Sequence, residues 1–148
     1  MCTKIIRLER KGRKFKAYKT VKVTDAKEIE SPYYSFTWVP SSRAIRDPNM
    51  KHKSRKLCMR EMNFLERGFH CFKNLEDARI HRHNKSSYIR ATFAIIEVEV
   101  SGVVYSGITG GMGVSHSSNK DAFLASNVKW NGKISFDGET WSEIAKTK

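Results

Sequence analysis

The sequence predicts an α+β fold, a twisted antiparallel sheet with two helices in a single domain spanning 1–148. Three observations carry that reading. Several segments place apolar side chains at every second residue, the period of a half-buried strand. Two others open on helix-capping residues and then hold acidic or apolar side chains at helical spacing. No repeat, low-complexity tract or Pro/Gly/Ser linker divides the chain, whose 148 residues, 39% hydrophobic and 11% aromatic, suffice for one core and not for two.

The first strand runs from Arg13 to Val23. Phe15, Ala17, Val21 and Val23 fall on one parity together with Lys19, and Lys14, Lys16, Tyr18, Thr20 and Lys22 fall on the other, giving an apolar face and a basic face. Thr24 to Glu28 is polar and reads as a turn. Tyr33 to Val39 is aromatic and β-branched, ends at Pro40, and is expected to form a hairpin with the first strand. At Asp47 the reading changes to helix, because Asp47 can accept from the free N–H groups of a first turn, Pro48 suits the first helical position and Gly68 the end. Cys58, Met62 and Leu65 give it an apolar stripe with Leu57 and Phe64 beside them, while Lys53, Lys56, Arg60 and Arg67 share another face. Its first half, Met50 to Lys56, has a weak stripe and is expected to order only on a ligand.

Phe69 to Phe72 reads as a short buried strand. Asn74 then caps a second helix with Glu76 and Asp77 in its first turn, expected to end near Arg82. Thr92 to Val100 is the clearest strand, with Ile96, Val98 and Val100 on one face and Glu97 and Glu99 on the other; Ser101-Gly102 is read as a turn into Val103 to Tyr105. Ser106 to Lys120, rich in Gly and Ser, reads as a mobile loop. Phe123 to Trp130 and Lys133 to Phe136 look like a hairpin closed by Asn131-Gly132. That hairpin would put Val128 and Trp130 on one face and Ile134 and Phe136 on the other, so both faces would need cover.

Charge narrows the function classes. Against 15 acidic side chains the chain carries 28 basic ones, a formal +13. The first 90 residues hold 23 basic and 9 acidic side chains, net +14; the last 58 hold 5 and 6, net −1. A solubility charge has no reason to be confined in this way, so a polyanion is the expected partner. No stretch approaches the roughly 20 apolar residues that cross a bilayer, and no apolar signal core is present, so no membrane is expected and a cytoplasmic location is. Three cysteines, Cys2, Cys58 and Cys71, at irregular spacing argue for a reducing compartment and leave the sequon at Asn84 without meaning.

Two groups of motifs resemble a known family. Ile29-Glu30-Ser31-Pro32-Tyr33-Tyr34-Ser35-Phe36-Thr37-Trp38 and Gly68-Phe69-His70-Cys71-Phe72-Lys73-Asn74-Leu75-Glu76-Asp77-Ala78, with the later Ile96-Glu97-Val98-Glu99-Val100-Ser101-Gly102 and Ala125-Ser126-Asn127-Val128-Lys129, are similar to small uncharacterised phage and prophage proteins. These share a strand, a GFHxFxxLEDA strand-to-helix turn, an EVEVxG strand and a final strand beginning Ala-Ser. About half the chain is covered. The resemblance implies a phage accessory product used in host takeover or against host defences, acting in the host cytoplasm, and it brings no catalytic residue with it. The basic region from Arg43 to Arg67 lies between the better-matched pieces.

Four constellations invite chemistry. His70, Cys71, His81 and His83 are zinc-ligand types, yet adjacent strand residues point to opposite faces and His81 with His83 would sit about 200° apart on a helix, so no metal and no cofactor is expected. Gly107 to Gly113 lacks the Gly-Lys-Ser/Thr of a phosphate loop. Ser115-His116-Ser117 are sequence neighbours, which rarely meet in triad geometry. Phe69 to Ala78 is loosely laid out like the nicotinamide pocket of an ADP-ribosyltransferase, without that fold's early Arg or His and without its late Glu. What remains is two basic surfaces: the strand face of Lys14, Lys16, Tyr18 and Lys22, and the helix residues Lys51, Lys53, Arg55, Lys56 and Arg60. They are expected to bind the backbone of nucleic acid or a nucleoprotein, with Tyr18, Tyr33 or Tyr34 stacking on an unpaired base. The competing readings are an inhibitor whose basic helix docks on an acidic patch of a host protein and, third, an ADP-ribosyltransferase-like enzyme.

Overall fold

The computed structural model describes residues 3–10, 12–30, 37–47, 64–65, 69–88, 92–109 and 120–144. Within them the chain forms ten strands of one antiparallel sheet and one helix. The strands are β1 (Thr3–Leu8), β2 (Phe15–Val23), β3 (Ile29–Glu30), β4 (Thr37–Trp38), β5 (Ile45–Arg46), β6 (Phe64–Leu65), β7 (Phe69–Phe72), β8 (Thr92–Thr109), β9 (Lys120–Ser135) and β10 (Ser142–Glu143), with helix α1 (Leu75–Tyr88) between β7 and β8.

The pairings close on themselves. β2 pairs with β8 along its whole length, Phe15 opposite Val100 to Val23 opposite Thr92. β8 pairs with β9, β9 with β7, and β7 returns to β2 through a single pair, Tyr18 with Phe72. Ring closure leaves one enclosed face, and the alternation of each strand decides what fills it. Ala17 and Val21 of β2, Phe69 and Cys71 of β7, Ala94, Ile96, Val98, Val100 and Val104 of β8, and Phe123, Ala125, Val128, Trp130 and Ile134 of β9 form the interior cluster, capped by Ile29 and Trp38. A second, smaller cluster lies outside the ring. There Phe72 and Ile95 meet Ala78 of α1, with Tyr18, Leu75 and Trp141 around them, and Thr20 Oγ1 donates to the Ala78 carbonyl at 3.3 Å.

Several expectations are corrected. The described residues contain one helix, not two: Phe64–Leu65, placed by apolar spacing at the end of the Asp47–Gly68 helix, is extended and pairs with Thr3 and Lys4, where a sheet edge offers unpaired backbone groups. Residues 48–63 and 66–68 lie outside the described ones. Helix α1 runs on past Arg82 to Tyr88, with Arg82 donating from Nε to the Phe93 carbonyl at 3.0 Å and from its guanidinium to the Phe136 carbonyl. The Thr24 to Glu28 turn is present, closed by Lys27 N–H on the Thr24 carbonyl at 2.8 Å. It leads into β3, which pairs with β2, and β4 pairs with β3; of the segment expected to form a hairpin with β2, Thr37 and Trp38 thus pair with β3 instead, and 33–36 lie outside the described residues.

The two Gly-containing turns expected after Val100 and Trp130 are bulges within continuous strands. Between Val100 opposite Val128 and Val104 opposite Ala125, β8 spends one residue more than β9. Gly102 absorbs it at φ +77°, and a Cβ there would collide with Ser126 Oγ. Across this point the inward parity of β9 switches from Phe123 and Ala125 to Val128, Trp130 and Ile134. Gly132, at φ +97°, occupies the second irregularity and accepts Ile144 N–H at 2.9 Å. A continuous strand thus puts Trp130 and Ile134 on one side, which resolves the two-faced burial a hairpin would have required. Of the segment expected to be a mobile loop, Ser106 to Thr109 and Lys120 are strand, and 110–119 lie outside the described residues.

Candidate functional site

On the outer face of the ring, the strand alternation that buries Val98 and Val100 turns Glu97 and Glu99 outward, between the lysines of two neighbouring strands. Lys14 Nζ, just ahead of β2, lies 3.9 Å and Lys129 Nζ of β9 3.7 Å from Glu99 Oε1. Lys16 Nζ lies 3.8 Å from Glu97 Oε1 and Lys133 Nζ 3.4 Å from Glu97 Oε2. Four lysines thus share two carboxylates. Surface pairs of this length are worth about 0–1 kcal/mol each, so they hold the side chains loosely and do not neutralise the face. The Lys14 and Lys16 side chains remain 66% exposed, open to a further anionic partner.

At one end of this ladder the chain turns back. The Asp137 carboxylate accepts from Glu139 N–H at 2.8 Å, Thr140 N–H at 2.6 Å and Ser135 Oγ at 3.1 Å, and the two backbone donors hold its pKa well below the usual carboxylate range. Gly138, at φ +83°, offers its carbonyl to Arg79 Nε of α1 at 2.6 Å. The turn delivers Trp141 and then β10, whose Ser142 and Glu143 pair with Ile134 and Lys133. The Trp141 and Tyr18 rings lie 6.4 Å apart, tilted by 53°. Glu97, Lys133, Trp141, Ser142 and Glu143 line an open cleft of about 380 Å³.

The inner face of β2 carries a different lysine. Lys19 is buried among apolar neighbours and donates from Nζ to the His70 carbonyl at 2.8 Å. It lies where the β2–β7 seam has a single bridging pair, and its Nζ adds a side-chain hydrogen bond across that seam. Burial lowers its pKa from 10.5, only partly opposed by the charge of a Cys71 thiolate. Burial in turn pushes the Cys71 thiol up to about 11, with Lys19 pulling the other way. Burial thus disfavours the charged form of each group, and neither faces the outer cleft.

The structure brings Lys14, Lys16 and Tyr18 to one surface and sets Lys22 at the far end of β2, half-buried and opposite Glu30. Tyr18 stands behind Trp141, packed with Phe72 and Ile95. Lys51, Lys53, Arg55, Lys56 and Arg60, with Tyr33 and Tyr34, lie outside the described residues. Sequence reasoning missed Lys129, Lys133, Trp141, Ser142 and Glu143. The signal was the pairing of an acidic alternation, Glu97 and Glu99, with Lys129 and Lys133 on the next long strand. Of the metal-ligand types, Cys71 points into the core as a free thiol, His81 packs its ring 5.2 Å from that of Phe72, and His83 is exposed. Among the described residues no three His, Cys, Asp or Glu side chains are grouped to hold a metal ion, and no helix is long and apolar enough to cross a membrane. Comparison with protein-family models finds no match, and comparison with curated proteins and with solved structures finds none either.

Proposed function

We propose that this chain is a non-catalytic phage accessory protein, of the host-takeover or anti-defence kind, that binds nucleic acid or a nucleoprotein in the host cytoplasm through its basic surface. The phage setting rests on the motif resemblance. Binding rests on one observation: four lysines from strands far apart in sequence converge around two carboxylates on an open sheet face that ends in an aromatic cleft. An exposed lysine excess of this kind suits phosphates, whose spacing along a backbone tolerates loose placement. The five basic residues between Lys51 and Arg60 add to the attraction. No helix-turn-helix or RNP signature accompanies them, so readout is of backbone and unpaired bases rather than of duplex sequence.

The test is a salt titration of oligonucleotide binding by fluorescence anisotropy. Four to six phosphate contacts give a slope of log K against log[salt] of roughly −4 to −5 on duplex DNA. Absence of binding at about 50 mM salt, to single- and double-stranded RNA and DNA alike, overturns the proposal, and a nuclease-resistant complex with a host protein would then favour the inhibitor reading.

A further inference from the structure

We propose that the cleft beside Trp141 is a subsite for one unpaired guanine base, an inference that rests on the nucleic-acid reading of the adjoining face. Trp141 supplies the flat surface. It is half-buried, braced by Tyr18 at 6.4 Å, and held by the Asp137 turn and by β10, so a base stacks on an indole already in place rather than ordering a free one. The lysines fix where the strand runs. Lys133 lines the cleft and Lys16 approaches it through Glu97, so phosphates on either side of the stacked base meet cations that already stand on the ladder.

The carboxylates set the identity. Glu97 is shared by Lys16 and Lys133, whereas no ion pair engages Glu143 among the described residues, and Glu143 is exposed at the cleft wall beside Ser142. A lone carboxylate has two acceptor oxygens and no donor. Guanine alone among the bases presents two adjacent donors on its Watson–Crick edge, N1–H and the N2 amino group. Adenine and cytosine present a donor beside an acceptor, and thymine and uracil a donor flanked by acceptors. Bidentate acceptance by Glu143 therefore selects guanine while Trp141 stacks on any base. The volume of about 380 Å³ falls within the 300–1,000 Å³ common for small-ligand sites.

Tryptophan emission reads this site directly, because Trp38 and Trp130 are each 2% exposed and a base in solution can reach only Trp141. The experiment compares a short labelled oligothymidylate with the same strand carrying one central guanine, following anisotropy for binding and emission for stacking. The expected result is emission quenching with affinity about tenfold higher for the guanine strand. Glu143→Gln should abolish the preference while leaving quenching and thymidylate binding in place. Trp141→Phe should remove the emission signal and keep the preference. Binding of both strands with unquenched emission, or a guanine preference that survives Glu143→Gln, overturns the subsite and leaves the basic face standing. Failure of both strands to bind removes the face and the subsite together, and quenching by an arginine-rich peptide in that case assigns the cleft to a protein partner.

Discussion

Two sets of lysines on one strand have opposite fates. Lys16 of β2 and Lys14 just ahead of it face outward, two-thirds exposed and loosely paired with Glu97 and Glu99. Lys19, of the other parity, points into the ring, where it donates to the His70 backbone carbonyl and its charged form is disfavoured by burial. Residue type and local sequence are nearly the same. What differs is the side of the pleat, and it decides whether a lysine is a surface cation for a polyanion or an internal donor that satisfies a seam. Net charge counted along the chain cannot make this distinction.

The comparison breaks most visibly at the interior. Ile96→Ala, in a side chain with no exposure, should cost about 2–5 kcal/mol in urea unfolding through lost apolar contact and the cavity left behind, with affinity unchanged in the folded fraction. Next in size is the pH dependence of Lys19. Because its pKa is lowered in the folded state, the unfolded chain binds more protons and stability rises with pH on the way to 10.5. Cys71 has the reverse sign: its raised pKa gives stability that is complete below 9.0 and lost as pH climbs through about 11. Below pH 9.0 only the Lys19 effect operates, so the wild type should gain on Lys19→Met by up to about 1.4 kcal/mol per pH unit. A stability difference that stays flat up to pH 9.0 would mean that Lys19 keeps its proton inside the fold. The smallest effect on stability belongs to the outer lysines. Lys14→Glu combined with Lys16→Glu should shift unfolding by only about 0.5 kcal/mol per site, yet flatten the salt slope of oligonucleotide binding by about 2.

Much of the architecture could be read where alternation was strict. The β2 pattern separated Ala17 and Val21 from Lys14 and Lys16 correctly, and it already placed Lys19 on the apolar side. The inward set of β8 and the outward Glu97 and Glu99 were equally legible. Reading failed where a glycine with left-handed backbone has two uses. Gly102 and Gly132 each fit a tight turn as well as a bulge, and only the cross-strand partner distinguishes them. Phe64 and Leu65 fitted the spacing of a helix whose neighbours they shared, while the backbone groups of β1 drew them into a strand. The site was half legible for a related reason. The β2 lysines were visible as a stripe, but Lys129, Lys133 and Trp141 sit in the near-neutral part of the chain, and register alone brings them alongside.

The single Tyr18–Phe72 pair that closes the ring also bears on the order in which the structure assembles. β8 and β9 are neighbours in sequence and zip from Thr109 opposite Lys120, whereas β2 must find β8 across a gap such as Ala17 to Val98, 81 positions away. Loop-closure entropy favours the local ladder first, so the long hairpin acts as a template on which the N-terminal strands are laid later. The β2–β7 closure then comes among the last events. Lys19 reaches across that closure to the His70 carbonyl, so a side chain whose charged form burial disfavours also ties together the join that forms last.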